Sequence, residues 1–152
     1  MVRIEKATLE HIALMSANVR KADRQEIFAA GGMSVEEALT KSIAMSGSHF
    51  TGFIDDKIVC MFGIGEISML KYQGIVWLIG TNEIEKHKKT FMQYSKGFIE
   101  KYKRDYSYMY NFVDSRNKLA LAWLKWLGFK INKACPYGYE GRLFHKVELS
   151  NV

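Results

Sequence analysis

The stretch NFVDSRNKLALAWLKWLGFKI, residues 111–131, carries the clearest run of local structural signals in the chain. It opens on the end of an apolar, aromatic segment of the kind found in strands. Asn117 is a favourable N-cap for a helix predicted over residues 117–127. Gly128 suits the end of that helix because glycine adopts a left-handed backbone without strain. The stretch therefore predicts a strand, a short helix and a returning strand that begins at Phe129.

Residues 84–104, upstream of this stretch, form the clearest predicted helix. Aromatic and aliphatic side chains recur there every three or four positions, which places them on one helical face. We expect this face to be a continuous buried stripe, with the lysines directed away from it. The stripe consists of Ile84, His87, Phe91, Tyr94, Phe98 and Tyr102.

The first third of the chain is predicted to contain one strand followed by helices. Residues 2–7 alternate apolar and polar, as a short strand does. The pattern becomes helical from about Leu9 and divides into a second helical piece before Gly31–Gly32. Ser34 and Glu37 have the spacing of a capping box, which predicts the start of a further helix at this point.

The middle of the chain is predicted to form the centre of a sheet. Two strand-like runs meet at Asp55–Asp56, a pair that suits a tight hairpin. The segments IVCMFGI and GIVWLIGT are apolar at consecutive positions, which indicates strands covered on both faces. With two last strands the order is β-αα-β-β-β-α-β-α-β-β. This order predicts an α+β protein with a mixed, mostly antiparallel sheet of about seven strands, flanked by about four helices.

The composition fits one domain over residues 1–152. Hydrophobic residues make up 48% of the chain and Pro136 is its single proline, so no segment has the composition of a linker or a disordered tail. Cys60 and Cys135 do not form a paired spacing, and we expect neither a disulfide scaffold nor a metal site. No apolar run reaches the roughly 18 residues of a membrane span. We therefore expect a cytoplasmic protein.

The positive charge of the chain is concentrated in one segment. The formal net charge is +6, and seven basic but only two acidic residues lie between Glu85 and Arg104. A partner that carries phosphate or acidic groups should therefore contact this segment. A nucleic acid is not expected, because the aromatic side chains of the predicted helix face away from its lysines and cannot stack on bases.

The element order, together with Asn117, the helix rich in Ala and Leu, and Gly128–Phe129, resembles the GNAT superfamily of acyl-CoA-dependent N-acetyltransferases. The resemblance in element order covers nearly the whole chain, and that in residues covers about 74–131. It implies that acetyl-CoA binds at the end of the fourth strand and at the loop that enters the next helix. The residues implied for this cofactor are Leu78, Gly80, Lys86, Lys88, Lys89 and Asn117.

The sequence departs from the family pattern at the phosphate-binding loop. This loop normally carries two glycines that let backbone N–H groups surround the phosphates, but Lys88 and Thr90 stand at those places and Glu85 begins the loop. The lysines of the loop could hold phosphate through their side chains or form a solvated face. Asn117 could lie beside the coenzyme or only cap its helix. Both pairs of alternatives remain open from the sequence.

The usual catalytic pair is also missing. Members of the superfamily often use a carboxylate base on the fourth strand and a tyrosine acid in the helix before Gly-Phe. The segment GIVWLIGT contains no acid, and Leu124 stands at the tyrosine's place. Glu66 could face the cleft, although an exposed carboxylate at a strand end is the simpler interpretation. No catalytic residue is assigned.

A narrower resemblance is to the small GNAT-like internal virion protein A group of short-tailed bacteriophages. It implies a protein of the host cytoplasm, packaged in the virion, with other virion proteins or a host protein as partners and with acetyl transfer lost or atypical. The alternative is an active acetyl-CoA-dependent N-acetyltransferase that acts on an amine of a small molecule or protein. A homodimer formed through the last strands is a further expectation. The shared spacing comprises Trp77, Thr81, Phe91, Tyr94, Tyr102, Tyr110, Asn111, Val113, Asn117, Leu124, Gly128 and Phe129.

Overall fold

An eight-stranded mixed sheet runs through the protein, whose computed structural model describes residues 1–66 and 72–150. The strand order is β1-β2-β3-β4-β5-β8-β6, and β7 also pairs with β8. Every pairing is antiparallel except that of β4 with β5. The strands are β1 (Val2–Lys6), β2 (Ser46–Ile54), β3 (Lys57–Glu66), β4 (Gln73–Gly80), β5 (Tyr108–Asp114), β6 (Lys130–Ile131), β7 (Cys135–Tyr137) and β8 (Arg142–Ser150).

Six helices flank this sheet in the described part of the chain, and the predicted α+β class is confirmed. The structure has eight strands and six helices where about seven and about four were expected, and three helices instead of two lie between β1 and β2. The run predicted as one helix over residues 84–104 divides at His87, whose φ of −129° and ψ of 39° are not helical. None of the helices within the two described ranges is long and apolar enough to cross a membrane. The helices are α1 (Leu9–Asn18), α2 (Lys21–Gly31), α3 (Val35–Met45), α4 (Glu83–Lys86), α5 (Lys88–Asp105) and α6 (Lys118–Trp126).

The predicted turn and cap residues form the local structures expected of them. Asp55 and Asp56 have φ angles of 50° and 64°, as a two-residue hairpin turn requires. The capping box of Ser34 at the start of α3 is present. At the end of α6, Gly128 has a φ of 101°, and its N–H donates to Lys125 O at 3.0 Å. Phe129 N donates to Leu124 O at 3.0 Å, which completes a Schellman motif and directs the chain into β6.

The two faces of the sheet bury separate groups of apolar side chains. Helices α1 and α3 pack against β2, β3 and β4 on one face. Helices α5 and α6 pack against β3, β4, β5 and β8 on the other. The largest fully buried side chains are Phe144, Met15, Leu39, Met61, Ile64 and Met109.

The parallel strands β4 and β5 pair only over a short length. Three residues of β4, Gln73 to Ile75, pair with Tyr108 to Tyr110, and beyond this point the two strands diverge. The sheet therefore contains an opening between the second half of β4 and the second half of β5. We call this space the β4–β5 opening.

Candidate functional site

The edge of β4 presents backbone hydrogen-bonding groups to the β4–β5 opening. Thr81 N donates to Val59 O at 2.9 Å, which shows that Thr81 faces β3. Because backbone groups alternate in direction along a strand, Gly80, Leu78 and Val76 face the opening instead. Two of the residues predicted from the sequence, Leu78 and Gly80, thus lie on the edge of β4 that faces the opening.

The narrow end of the opening is closed by a side chain from β5. Asn111 Nδ2 donates to Val76 O at 2.6 Å, in the place where a backbone hydrogen bond between the two strands would otherwise continue. Its Oδ1 accepts from Phe112 N at 2.7 Å, which fixes the orientation of the amide. The backbone of Val76 is therefore partly occupied, and the free length of the β4 edge begins at Leu78.

Helix α2 lies across the wide end of the opening and contacts both diverging strands. Asp23 Oδ2 accepts from Gly80 N at 2.8 Å, and Arg20 N donates to Gly80 O at 2.8 Å. Glu26 Oε1 accepts from Asp114 N at 2.9 Å, at the end of β5. The two carboxyl groups of α2 thus connect the ends of β4 and β5, and both backbone groups of Gly80 are engaged by the protein itself.

Asn117 connects the same carboxyl groups to the start of α6. Its Nδ2 lies 3.0 Å from Asp23 Oδ1 and 3.3 Å from Glu26 Oε1. Its Oδ1 accepts from Ala120 N, so that the residue is the N-cap of α6 as predicted. Asn117 is only 1% exposed. The capping role left open by the sequence is therefore present, and the amide of this side chain is directed at α2.

Enclosure of the Glu26 carboxyl group gives it an unusual proton affinity. Burial, together with repulsion from Asp23, raises the pKa of Glu26 to about 8. Burial also raises the pKa of Asp23, and this rise is opposed by Arg20, whose Nη1 is 3.1 Å from Asp23 Oδ1. Glu26 is therefore mostly protonated at neutral pH and can exchange a proton close to neutrality.

A cavity of about 140 Å³ lies between the sheet and helices α5 and α6, and we call it the α5 cavity. Asp23, Glu26 and Asn117 line one side of it, and Leu78 of β4 also lines it. Most of its other walls are apolar. They include Phe62, Phe91, Phe98, Ile99, Ala120 and Trp123.

The three predicted lysines lie on the surface, one at the end of α4 and two at the start of α5, and they are absent from the described lining of the α5 cavity. Lys88 and Lys89 occupy the first turn of α5, beside Thr90, which does line the cavity. This turn contains no acidic residue, and His87 does not cap it through its side chain. Lys86 belongs to α4, where its Nζ is 3.4 Å from Glu83 Oε2. Lys88 and Lys89 therefore reinforce the positive end of the α5 dipole.

The carboxylate that the sequence suggested could face the cleft lies away from the β4–β5 opening. Glu66 is exposed at the end of β3, where it pairs with Gly74, and its Oε1 accepts from Tyr106 Oη at 3.2 Å. The structure therefore agrees with the simpler interpretation, in which Glu66 is an exposed carboxylate at a strand end. Leu124, at the place of the family's tyrosine, is 6% exposed and lies in the core. Within residues 1–66 and 72–150, no three His, Cys, Asp or Glu side chains are grouped to hold a metal ion.

Asp23 and Glu26 were not predicted from the sequence. The only signal was two acidic residues three positions apart, which share a helical face, in a segment predicted to be helical. Such pairs are ordinary on exposed helices. Their partner Asn117 is 94 positions from Asp23 and 91 from Glu26, so local patterns do not indicate that these groups meet.

The chain matches no protein-family model and no curated protein sequence. It does share its fold with solved structures. Ard1 from Thermoplasma volcanium has a TM-score of 0.75 and 11% identity, with 98% of this chain and 97% of that chain covered. The protein yncA from Salmonella typhimurium, solved with its cofactor acetyl-CoA, has a TM-score of 0.71 and 13% identity, with 100% and 95% covered.

An acetyltransferase of the GNAT family from Streptococcus pneumoniae has a TM-score of 0.63 and 15% identity to this chain, with 99% of each chain covered. The chain therefore has the GNAT fold over nearly its whole length, as the resemblance implied. At sequence identities of 11% to 15%, the similarity to these structures shows a shared fold alone.

Proposed function

We propose that the chain binds the thioester of an acyl-coenzyme A at the β4–β5 opening and transfers the acyl group to an amine. The observation that carries this proposal is the combination at one place of a free strand edge at Leu78, an apolar cavity and the proton-exchanging carboxyl of Glu26. The GNAT fold supports it, because a solved structure with this fold holds acetyl-CoA. The enzyme is then an atypical one, since its carboxyl group comes from α2.

Binding would use three kinds of group. The backbone N–H and C=O of Leu78 can pair with an amide of the pantetheine arm, as an added strand would. The α5 cavity would take the apolar end of the thioester. The phosphates would lie at the start of α5, where the first turn has no side-chain cap from His87, and where the helix dipole and the side chains of Lys88 and Lys89 attract anions. Gly80 and Asn117 would support the site without contacting the coenzyme, because α2 engages them.

Glu26 would accept the proton in the transfer. The amine nitrogen attacks the carbonyl carbon of the thioester, a C–N bond forms, and the C–S bond breaks to release the thiolate of coenzyme A. The carboxylate form of Glu26 takes the proton that the amine nitrogen loses, and the thiolate is protonated from solvent. Because the pKa of Glu26 is about 8, the active form increases as the pH rises towards that value.

A second candidate function is that of a phage internal virion or assembly protein in which acyl transfer is lost. It is favoured by the engagement of Gly80 and Asn117 with α2, which removes two of the groups implied for the coenzyme. Its partners would be other virion proteins or a host protein, in the host cytoplasm and in the particle. Mass spectrometry of purified particles tests this role, and particles without the chain would rule it out.

The release of free thiol from acyl-coenzyme A, measured with a panel of small amines and amino-terminal peptides, tests the transfer itself. We expect amine-dependent release that increases from pH 6.5 to pH 8.5. Glu26→Gln should reduce the rate by about 100-fold or more, the usual loss for a general base. Glu37→Gln, in the capping box of α3, is the matched control and should keep the rate. Binding of coenzyme A without thiol release for any amine would favour the second candidate.

A further inference from the structure

We propose that the acyl group bound here is longer than acetyl and that its carbon chain, of about six carbons, lies in the α5 cavity. This inference rests on the proposed function, and it specifies the class of thioester. The observations behind it are the size of the cavity, the chemistry of its walls and the closure of its narrow end.

The α5 cavity exists because α5 does not bury its aromatic stripe as the sequence predicted. Tyr94 is 47% exposed, and Phe91 and Phe98 are only partly buried. The prediction of a continuous buried stripe is therefore wrong for the middle of the helix, although Tyr102 near its end is buried. The rings of this stripe form walls of a space that the core leaves unfilled.

The walls of the cavity are aromatic and expose few polar groups. Phe98 packs against Phe62 of β3, with ring centroids 4.7 Å apart, and this pair lies between α5 and the sheet. Phe91 packs against Trp123 of α6, with centroids 5.3 Å apart. The indole N–H of Trp123 is already satisfied by Ser95 Oγ at 3.0 Å. A hydrocarbon chain suits such a surface better than water does.

The volume of the cavity is larger than an acetyl group needs. An apolar cavity of about 150 Å³ in a protein can take benzene, a ligand with six carbons. The α5 cavity, at about 140 Å³, is close to that size. A single methyl group would leave most of this space empty, and the side chains around it would lose their contacts on that side.

The polar groups of the site give the bound thioester a direction. The carboxyl groups of Asp23 and Glu26 lie together on the α2 side of the site, and Asn111 closes the space between the strands below Val76. A thioester held beside Leu78 therefore has its reacting carbon near Glu26. Its hydrocarbon chain cannot continue between β4 and β5 and has to turn beneath α5.

The test is a calorimetric titration with coenzyme A and with its acetyl, butyryl, hexanoyl and decanoyl thioesters. Each methylene buried should tighten binding about fourfold up to hexanoyl, which follows from the transfer free energy of a methylene. Decanoyl should gain nothing further. Equal affinities for coenzyme A, acetyl-coenzyme A and hexanoyl-coenzyme A would overturn this inference and leave the proposed function standing. No binding by any of the five would overturn the proposed function, and the inference with it.

Two variants test where the hydrocarbon chain of the acyl group lies. Ala120→Leu adds bulk to a wall of the cavity and should move the preferred chain from hexanoyl to butyryl. Ala122→Leu, on the exposed side of the same helix, is the matched control and should keep the hexanoyl preference. If Ala120→Leu does not fold, Phe98→Leu enlarges the cavity and should move the preference towards decanoyl. If a folded Ala120→Leu or Phe98→Leu variant keeps the same preference for acyl chain length, the hydrocarbon chain does not lie in the α5 cavity and the inference is contradicted.

Discussion

The side-chain amide of Asn117, at the start of α6, donates to Asp23 Oδ1 of α2 across 3.0 Å. This contact joins the helix that follows β5 to the helix that engages the end of β4. It therefore holds the two sides of the β4–β5 opening in a fixed relation, although the opening itself has no backbone hydrogen bonds between its strands beyond Ile75 and Tyr110 in the described part of the sheet.

Asn117→Ala should destabilise the protein by about 1–3 kcal/mol, since it removes the cap of α6 and one donor to the buried oxygens Asp23 Oδ1 and Glu26 Oε1, which keep Arg20 Nη1 and Asp114 N as their other donors. Chemical denaturation measures this loss. Asn82→Ala is the matched control, because Asn82 is the N-cap residue of α4 but makes no capping hydrogen bond through its side chain. The control should change the free energy of unfolding by less than about 0.5 kcal/mol. Similar losses in both variants would contradict the role given to Asn117.

Glu26→Gln should stabilise the protein at alkaline pH. The pKa of Glu26 is about 8 in the folded protein and has a reference value of 4.5. Between these values the folded state binds more protons than the unfolded state, so that the free energy of unfolding falls as the pH rises. Glutamine stays neutral at every pH, so the free energy of unfolding of the variant does not fall in this way. The variant should exceed the wild type by on the order of 2 kcal/mol at pH 9 and by much less at pH 5.

Thermal melts of the wild type and Glu26→Gln from pH 5 to pH 9 check this dependence. Glu36→Gln, an exposed residue of α3, should not raise the melting temperature at pH 9. Curves for the wild type and Glu26→Gln that run parallel over the whole range would show that the carboxyl group ionises as it does in an unfolded chain.

Reversing the charge of both Lys88 and Lys89 to Glu should weaken coenzyme A binding by about tenfold or more at low ionic strength, because two attractive charges at the start of α5 become repulsive. The loss should shrink as salt screens these exposed charges. Lys41→Glu is the control, since this exposed residue lies on α3, on the opposite face of the sheet. Unchanged affinity in the double variant would mean that the lysines only form a solvated face.

Gly63→Ala should destabilise the protein by about 2 kcal/mol or more, because a Cβ at Gly63 would lie 2.4 Å from Ser48 O, a backbone atom that cannot move aside cheaply. Gly97→Ala is the informative counterpart. A Cβ at Gly97 would have no neighbour within 4 Å, and alanine is the better helix former in the middle of α5. That variant should gain about 0.5–1 kcal/mol. Equal effects of the two substitutions on urea unfolding would contradict the packing of β2 on β3.

The sequence was sufficient to predict the order of the elements, because turns and caps are local. Asp55–Asp56, the Ser34 capping box and Gly128 each need only neighbouring residues to form, and each has the predicted structure. The break at His87 was not predicted, since the three-and-four spacing of apolar residues continues across it. The division of the last strands into β6 and β7 was likewise missed, because it depends on a change in the pairing with β8, from Ile131 opposite Val147 to Cys135 opposite Phe144, and not on a local turn signal.

The site was predicted less well than the fold, for a physical reason. Leu78 and Gly80 lie near the end of the fourth strand, a position that follows from strand order, and their role in binding a cofactor stays a prediction. Asp23 and Glu26 reach the opening through contacts between residues that are far apart in sequence, and a polar residue on a helix is usually exposed. Their function depends on burial, which single-sequence patterns do not reveal.

The central claim is that the edge of β4 at Leu78 holds the arm of a coenzyme A thioester. A titration of ¹⁵N-labelled protein with acetyl-coenzyme A, followed by NMR at each backbone amide, tests it most directly. We expect saturable shifts at the Leu78 amide and in the first turn of α5, with one ligand bound per chain. A spectrum that stays unchanged at millimolar ligand would contradict the claim.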